Sequence, residues 1–345
     1  MRQGDTHRRI PRNATFASAM RVWAVMLVVA AVVAFACLLC GSGEVRLDDA
    51  WAALWTDADT PARAIVRELR IPRTIAAFGV GGLLAMSGCL MQVLVRNPLA
   101  DPYTLGLSGG AAVGALGAML AGAGAFWIAA GAASGALLAC LAVFVLAHRE
   151  LLSRQRAGQR DDATDLILTG VMLAAGSGAI VSMMLVLAPD RNLRGMLFWM
   201  MGDLSGVSWW GLPVLCLLVG LLFVVPLGRQ LNLLARGEES ASALGVRPGA
   251  VKAAIFVVSS IATAVAVTTA GTIGFVGLVV PHALRRVIGN DQRVLVPASA
   301  IGGGTLVMIA DTASRVVADP IQLPVGAVMA VIGVPTFLFL LARRR

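Results

Sequence analysis

Charge is scarce in this sequence. Asp, Glu, Lys and Arg make up only 14% of its 345 residues, against roughly a quarter in a soluble globular protein. That is too little polar surface to face water on all sides, so a soluble fold is excluded. The alternation of apolar and polar residues that marks a membrane barrel strand is also missing, because the apolar runs here are unbroken. The three histidines, His7, His148 and His282, are scattered and no H-E-x-x-H occurs, which leaves nothing for a metal-activated intramembrane enzyme. The sole lysine, Lys252, is followed by Ala253. A phosphate-cradling loop needs Gly-x4-Gly-Lys-Ser/Thr, so this chain lacks the usual means of holding ATP. Its five cysteines, Cys37, Cys40, Cys89, Cys140 and Cys216, lie in apolar runs, where a thiol behaves as a small hydrophobe. Cys37 and Cys40 spell C-x-x-C without the surroundings of a redox motif.

What is abundant is hydrophobic length. Stretches free of Asp, Glu, Lys and Arg run over 23–40, 74–95, 103–147, 166–188, 204–228, 253–284, 294–310 and 320–342. A bilayer core takes about 20 apolar residues per helix. The 103–147 run therefore holds two spans with a turn near Gly122 and Gly124, and 253–284 holds one span plus a second beginning around Gly271 to Gly277. The count is ten, giving an all-α polytopic membrane protein: a tail at 1–22, one domain at 23–342 and a short tail at 343–345. The basic start is followed by an apolar run without a cleavage site, so it reads as a retained first span and not as a signal peptide. An even number puts both termini on one side. With that side cytoplasmic, twenty of the 28 Lys and Arg residues fall inside, as the positive-inside rule requires. The net charge of +9 is thus explained by the lipid bilayer, and nucleic acid is not a partner. Asp161-Asp162 reads as a solvated pair in an inner loop.

Small residues recur at helical spacing, Gly106, Gly110 and Gly114 and then Gly131 and Gly135, a pattern that lets helices in lipid approach closely. Asn97-Pro98, Asp101-Pro102 and Gly274 to Pro281 suggest broken helices, tolerated at membrane depth only where backbone faces protein or a water-filled cavity. The apolar runs carry no ionisable side chain except His282, which disfavours proton- or sodium-coupled transport, and no selectivity filter is visible. The texture is that of a transporter whose energy comes from another protein.

Several long strings resemble one family. Arg70-Ile-Pro-Arg73, Gly82-Leu-Leu-Ala-Met-Ser-Gly88, Gln92, Asn97-Pro-Leu-Ala-Asp-Pro102 and Leu105-Gly-Leu-Ser108 resemble the first half of permeases that import ferric siderophores, haem and cobalamin. The second half agrees through Leu231-Asn232, Gly237-Glu238, Ala243-Leu-Gly245, the string from Gly271 to His282, Arg285, Asp311, Arg315, Leu323 to Gly326 and Gly333 to Phe337. The resemblance implies a type II ABC importer permease in a bacterial inner membrane. It implies two inverted repeats (about 74–188 and 251–342), a homodimer, two cytoplasmic ABC ATPase subunits that use the ATP, a periplasmic binding protein and no permanently bound cofactor or metal.

Residue by residue, the resemblance makes Arg70, Arg73 and Arg315 a docking rim for the binding protein; on composition alone they would be interfacial anchors. It makes the 229–250 segment the coupling helices, with Leu231, Asn232, Gly237, Glu238, Ala243, Leu244 and Gly245 meeting the ATPase, where composition alone would allow an amphipathic surface helix. The fifth span, with Gly176, Ser177, Gly178, Ser182, Met183 and Met184, would line the translocation path. His282 reads as structural and not as a haem ligand. A channel or secondary transporter working without an ATPase, and a membrane-embedded enzyme, are the competing classes; the coupling segment argues against them.

Overall fold

The computed structural model describes residues 16–41, 45, 47–55, 60–152 and 162–342. The tail up to residue 15, Asp161 and the 343–345 tail lie outside the described residues. Every regular element among them is helical: α1 (Phe16–Leu39), α2 (Leu47–Trp55), α3 (Pro61–Ala64), α4 (Ile71–Leu94), α5 (Leu107–Leu120), α6 (Ala125–Leu152), α7 (Asp162–Leu187) and α8 (Asp190–Met201) in the first part of the chain. They are followed by α9 (Leu212–Val224), α10 (Gly228–Leu234), α11 (Glu238–Ala243), α12 (Pro248–Ala270), α13 (Val276–Ile288), α14 (Gln292–Val316) and α15 (Val325–Ala342).

Among the described residues, seven helices are long and apolar enough to cross a bilayer, and α5 and α15 are shorter apolar helices. Where the tenth span is expected, in the second part of the 253–284 run, stands α13, of only 13 residues. Both subdivided runs break where glycine permits it: the turn after α5 has Gly122 at φ 70°, and the turn after α12 has Gly271 at φ 65°. Boundaries differ in two places. The first helix begins at Phe16, inside the expected 1–22 tail. The second span is one helix of 34 residues, Pro61–Leu94, in which α3 passes through a π-helical stretch, Ile65–Arg70, into α4. At ~1.5 Å per residue it is roughly 51 Å long, well beyond a ~30 Å hydrocarbon core, and it carries Arg70 and Arg73 within it.

The core is built around α4, which is 89% buried over its apolar window, with α14, α12, α9 and α13 around it. No water is present in lipid to drive this, so small residues let backbones touch. A Cβ on Gly81 would sit 2.2 Å from Gly303 O of α14, and one on Gly88 would sit 2.1 Å from Gly277 O of α13. The glycine stripe read from sequence is likewise a seam between α5 and α6. Gly110 faces Gly135 and Gly114 faces Gly131, with a Cβ on Gly114 only 1.9 Å from Gly131 O. Gly106 stands apart from that stripe: it is the left-handed residue before α5, at φ 72°.

The two broken stretches meet. Tyr103 Oη donates to Ile273 O and accepts from Ile273 N–H, both at 3.1 Å, and a Cβ on Gly277 would meet Pro102 Cδ at 2.8 Å. The irregular backbone before α5 and before α13 is therefore satisfied by protein, as lipid demands. Six of the seven tryptophans (Trp51, Trp55, Trp127, Trp199, Trp209 and Trp210) fall, by the alternation of the helices, at the end of the bundle where α1 finishes and α6 and α9 begin. Such an amphipathic ring belongs at a membrane interface.

Candidate functional site

At the tryptophan-rich end, the Arg-Ile-Pro-Arg motif is folded inward. Arg73 Nε donates to Asp311 Oδ1 at 2.7 Å, and Arg315 Nε lies 3.2 Å from Asp311 Oδ2. Arg73 Nη1 also donates to Gln322 Oε1 at 3.0 Å. Arg70 Nη1 donates to Leu38 O and Leu39 O, at 2.9 and 3.1 Å, so it caps the carbonyl end of α1, where a cation is favoured. Arg67, one turn earlier, does the same for α2 through Ala53 O at 3.1 Å. An exposed rim is therefore not what the structure shows. Arg70 is 3% exposed, Arg73 8%, Arg315 4% and Asp311 1%, because each guanidinium has an acceptor inside the fold.

The group still has charge and donors to spare. Arg73 and Arg315 share one carboxylate while Arg70 bonds only backbone carbonyls, and Nη2 of Arg70 and Nη2 of Arg73 are buried without a hydrogen-bond partner among the described residues. Both arginines line, with Arg315, Gln322, Ser205 and Glu68, a recess of about 190 Å³. A buried charged donor left unsatisfied costs roughly 1–3 kcal/mol or more. The expectation that no span is ionisable is overturned here. α14 runs past the apolar stretch as far as Val316 and includes Asp311 and Arg315, and α12 contains Lys252. All are held in ion pairs near helix ends, not strung into a proton relay.

At the other end, α10 and α11 are the expected coupling segment, joined by a turn with Gly237 at φ 125°. Its residues split into two groups. Leu231 is buried. Asn232 Nδ2 donates to Asp291 Oδ1 at 2.8 Å and Asn232 Oδ1 accepts from Gln292 N–H at 2.8 Å, which ties α10 to the first turn of α14. Asp291 caps that turn, and Arg293, with Asn232, holds its carboxyl below the usual carboxylate range. Glu238 is turned inward onto Lys252 at 3.2 Å. Ala243, Leu244 and Gly245 face outward, and Leu244 is 63% exposed. The sequence did not disclose the Glu238–Lys252 pair. The signal for it was the only lysine of the chain at the head of an apolar helix, where it needs a partner.

The fifth span, α7, is little enclosed, with 17% of its apolar window buried. Gly176 and Gly178 have open space where a Cβ would stand, and Ser182 and Met183 are exposed. Ser177 and Met184 are not on that open face. Ser177 packs on Gly109, and Met184 reaches toward Gly117, because helical spacing turns both toward α5. Among the described residues no group of His, Cys, Asp and Glu is arranged to hold a metal.

The profile of the FecCD transport family matches residues 27–343. The cobalamin import system permease protein BtuC of Halobacterium salinarum is 41% identical over 288 residues, covering 82% of this chain and 74% of that protein. The vitamin B12 import system permease protein BtuC of Yersinia enterocolitica is 37% identical over 298 residues, 85% of each chain. A solved metal-chelate type ABC transporter, in an inward-facing conformation, superposes with a TM-score of 0.79 at 26% identity, over 94% of this chain and 99% of that one. With the all-helical bundle and its family strings in place from end to end, the chain belongs to the FecCD transport family and is a multi-pass ABC importer permease.

Proposed function

We propose that this permease works as a homodimer in a bacterial inner membrane and carries cobalamin inward, driven by two cytoplasmic ABC ATPase subunits and supplied by a periplasmic binding protein. The observation that carries the cargo is the 41% identity to a cobalamin permease over most of the chain. The arginine recess is the docking point, receiving acidic side chains of the binding protein on the unsatisfied Arg70 and Arg73 nitrogens, with Arg315 behind them. The outward face of Ala243, Leu244 and Gly245 is the ATPase contact, and Leu231, Asn232, Gly237 and Glu238 hold that face in place. The open faces of α7 and α15 line the path between two copies. The termini and the 229–250 segment lie on the ATPase side, and no resident cofactor is needed in the permease itself.

Between the recess and the coupling segment runs a single helix. Asp311 and Arg315 sit near one end of α14 and the Asp291–Asn232 lock at the other, a rise of roughly 30 Å. Binding at one end and nucleotide turnover at the other thus meet on one continuous helix, and coupling follows if both ends bias the same two arrangements of it. A second cargo class, other metal chelates, is favoured by the solved metal-chelate transporter. Competition uptake separates the two: in proteoliposomes holding permease, ATPase and binding protein, cyanocobalamin is expected to accumulate and unlabelled ferric siderophore or haem to leave that uptake unchanged. Uptake of labelled siderophore or haem, unaffected by excess cobalamin, would overturn the cargo assignment.

A further inference from the structure

Beside the docking recess, and separated from it by Ser205, Gly206 and Val207, which line both, lies a larger cavity of about 650 Å³, within the range of small-molecule sites. Its walls include the outer ends of α6 and α9, through Phe126 and Leu212, and its floor is the carbonyl end of α12 at Thr268 and Thr269. Helix α8 contributes Phe198 and Trp199, and the loop before α9 contributes Asp203 and Trp209. Both side walls belong to helices whose other faces are apolar and exposed. Leu137, Leu138, Leu141 and Leu146 of α6, and Leu215, Leu218 and Leu222 of α9, are all more than half exposed. The opening is therefore at the level of the interfacial tryptophans, with Phe126 62% and Trp209 64% exposed at its edge.

Three independent features of this cavity select a positive charge. The C-terminal end of α12 presents the negative end of its dipole. Asp203 supplies a carboxylate, one of whose oxygens accepts only the N–H of Ser205, at 2.8 Å, and the other the Ser205 hydroxyl. The faces of Trp199 and Trp209 attract cations through their quadrupoles, whereas Phe198 already has a guanidinium over its ring. A guanidinium stands at the border as well, since Arg194 lies 5.6 Å from the centre of the Phe198 ring. Carboxylate and helix end for an ammonium, guanidinium for a phosphodiester, and apolar flanking helices for chains together describe one amphiphile. We propose that this cavity is a binding site for the headgroup of phosphatidylethanolamine from the surrounding leaflet.

Non-specific lipid association runs the other way. With a net charge of +9, the protein as a whole attracts anionic lipid, so a preference for a zwitterionic amine cannot come from overall charge. The full-length permease, stripped of lipid and offered equal amounts of phosphatidylethanolamine and phosphatidylglycerol of matched chains, is read by native mass spectrometry. One phosphatidylethanolamine is expected to remain bound at roughly tenfold higher occupancy than phosphatidylglycerol, as fits a cation held by a carboxylate and aromatic faces. Asp203→Asn and Trp209→Leu are each expected to reduce that preference several-fold, and Val28→Ala, on the exposed face of α1 away from the cavity, to leave it unchanged. Equal retention of the two lipids by the wild type would overturn the proposal even if the variants failed to fold. So would a preference for phosphatidylethanolamine that Asp203→Asn and Trp209→Leu both leave intact, because the lipid would then be sitting elsewhere on the apolar surface.

Discussion

At the residue scale, four arginines at the tryptophan-rich end of the protein run against the positive-inside expectation, and each of the four has a local reason. Arg67 and Arg70 terminate α2 and α1, and Arg73 and Arg315 share Asp311. This changes what a mutation there reports. Reversing Arg73 to Glu would set a carboxylate against Asp311 and disturb the fold along with any docking. Asp311→Asn is the cleaner probe of the brace. Removing one partner of a buried pair costs about 3–5 kcal/mol, so the variant is expected to lose that order of stability, read as a lowered apparent Tm in detergent. Asp311→Asn combined with Arg73→Gln is expected to recover part of the loss, since one uncompensated cation goes with the anion. No recovery would mean that the Arg73–Asp311 contact is incidental.

Glu238 and Lys252 form the corresponding brace at the other end. Removing Lys252 takes the buried Glu238 carboxylate's cation away and is expected to cost about 3 kcal/mol. The exchange Glu238→Lys with Lys252→Glu is expected to restore most of the stability and ATPase binding together. If the exchange restored stability but not ATPase binding, Glu238 would be a direct contact residue and not a support.

At the scale of elements, much was legible. Run lengths marked the long apolar helices, glycine pairs gave the breaks after α5 and α12, and the Gly110/Gly114 and Gly131/Gly135 spacing announced the close packing that the structure places between α5 and α6. That seam is expected to be intolerant of bulk. With the Cβ of Gly114 only 1.9 Å from Gly131 O, Gly114→Val is expected to cost at least the ~1–3 kcal/mol of overpacking and to lower the yield of folded protein. Gly124→Ala, with open space at the same position on the residue, is expected to have no effect. Similar yields for both would place the seam elsewhere. What the sequence concealed has a physical reason. Helices are longer than their charge-free stretches, so Arg73 and Asp311 sat outside the apolar runs at 74–95 and 294–310 and yet lie inside α4 and α14. The two are 238 positions apart in sequence, and no local period reports such a pairing. Helical phase likewise turned Ser177 and Met184 away from the open face of α7.

At the scale of the whole molecule, a recess with unsatisfied guanidinium donors at one end and a segment with an exposed Leu244 at the other are joined by α14, and nothing in the sequence supplies a nucleotide site. Transport should therefore need a partner that hydrolyses ATP. The measurement that bears on this most directly is uptake of labelled cobalamin into proteoliposomes of purified permease, with and without its ATPase, in the presence of loaded binding protein and internal or external ATP. Uptake is expected only when permease, ATPase, binding protein and ATP on the ATPase side are all present, and it is expected to fall sharply on Leu244→Asp, which places charge on the coupling face. Accumulation by the permease alone, independent of ATP and insensitive to Leu244→Asp, would contradict an ATP-driven importer and identify a channel or secondary carrier.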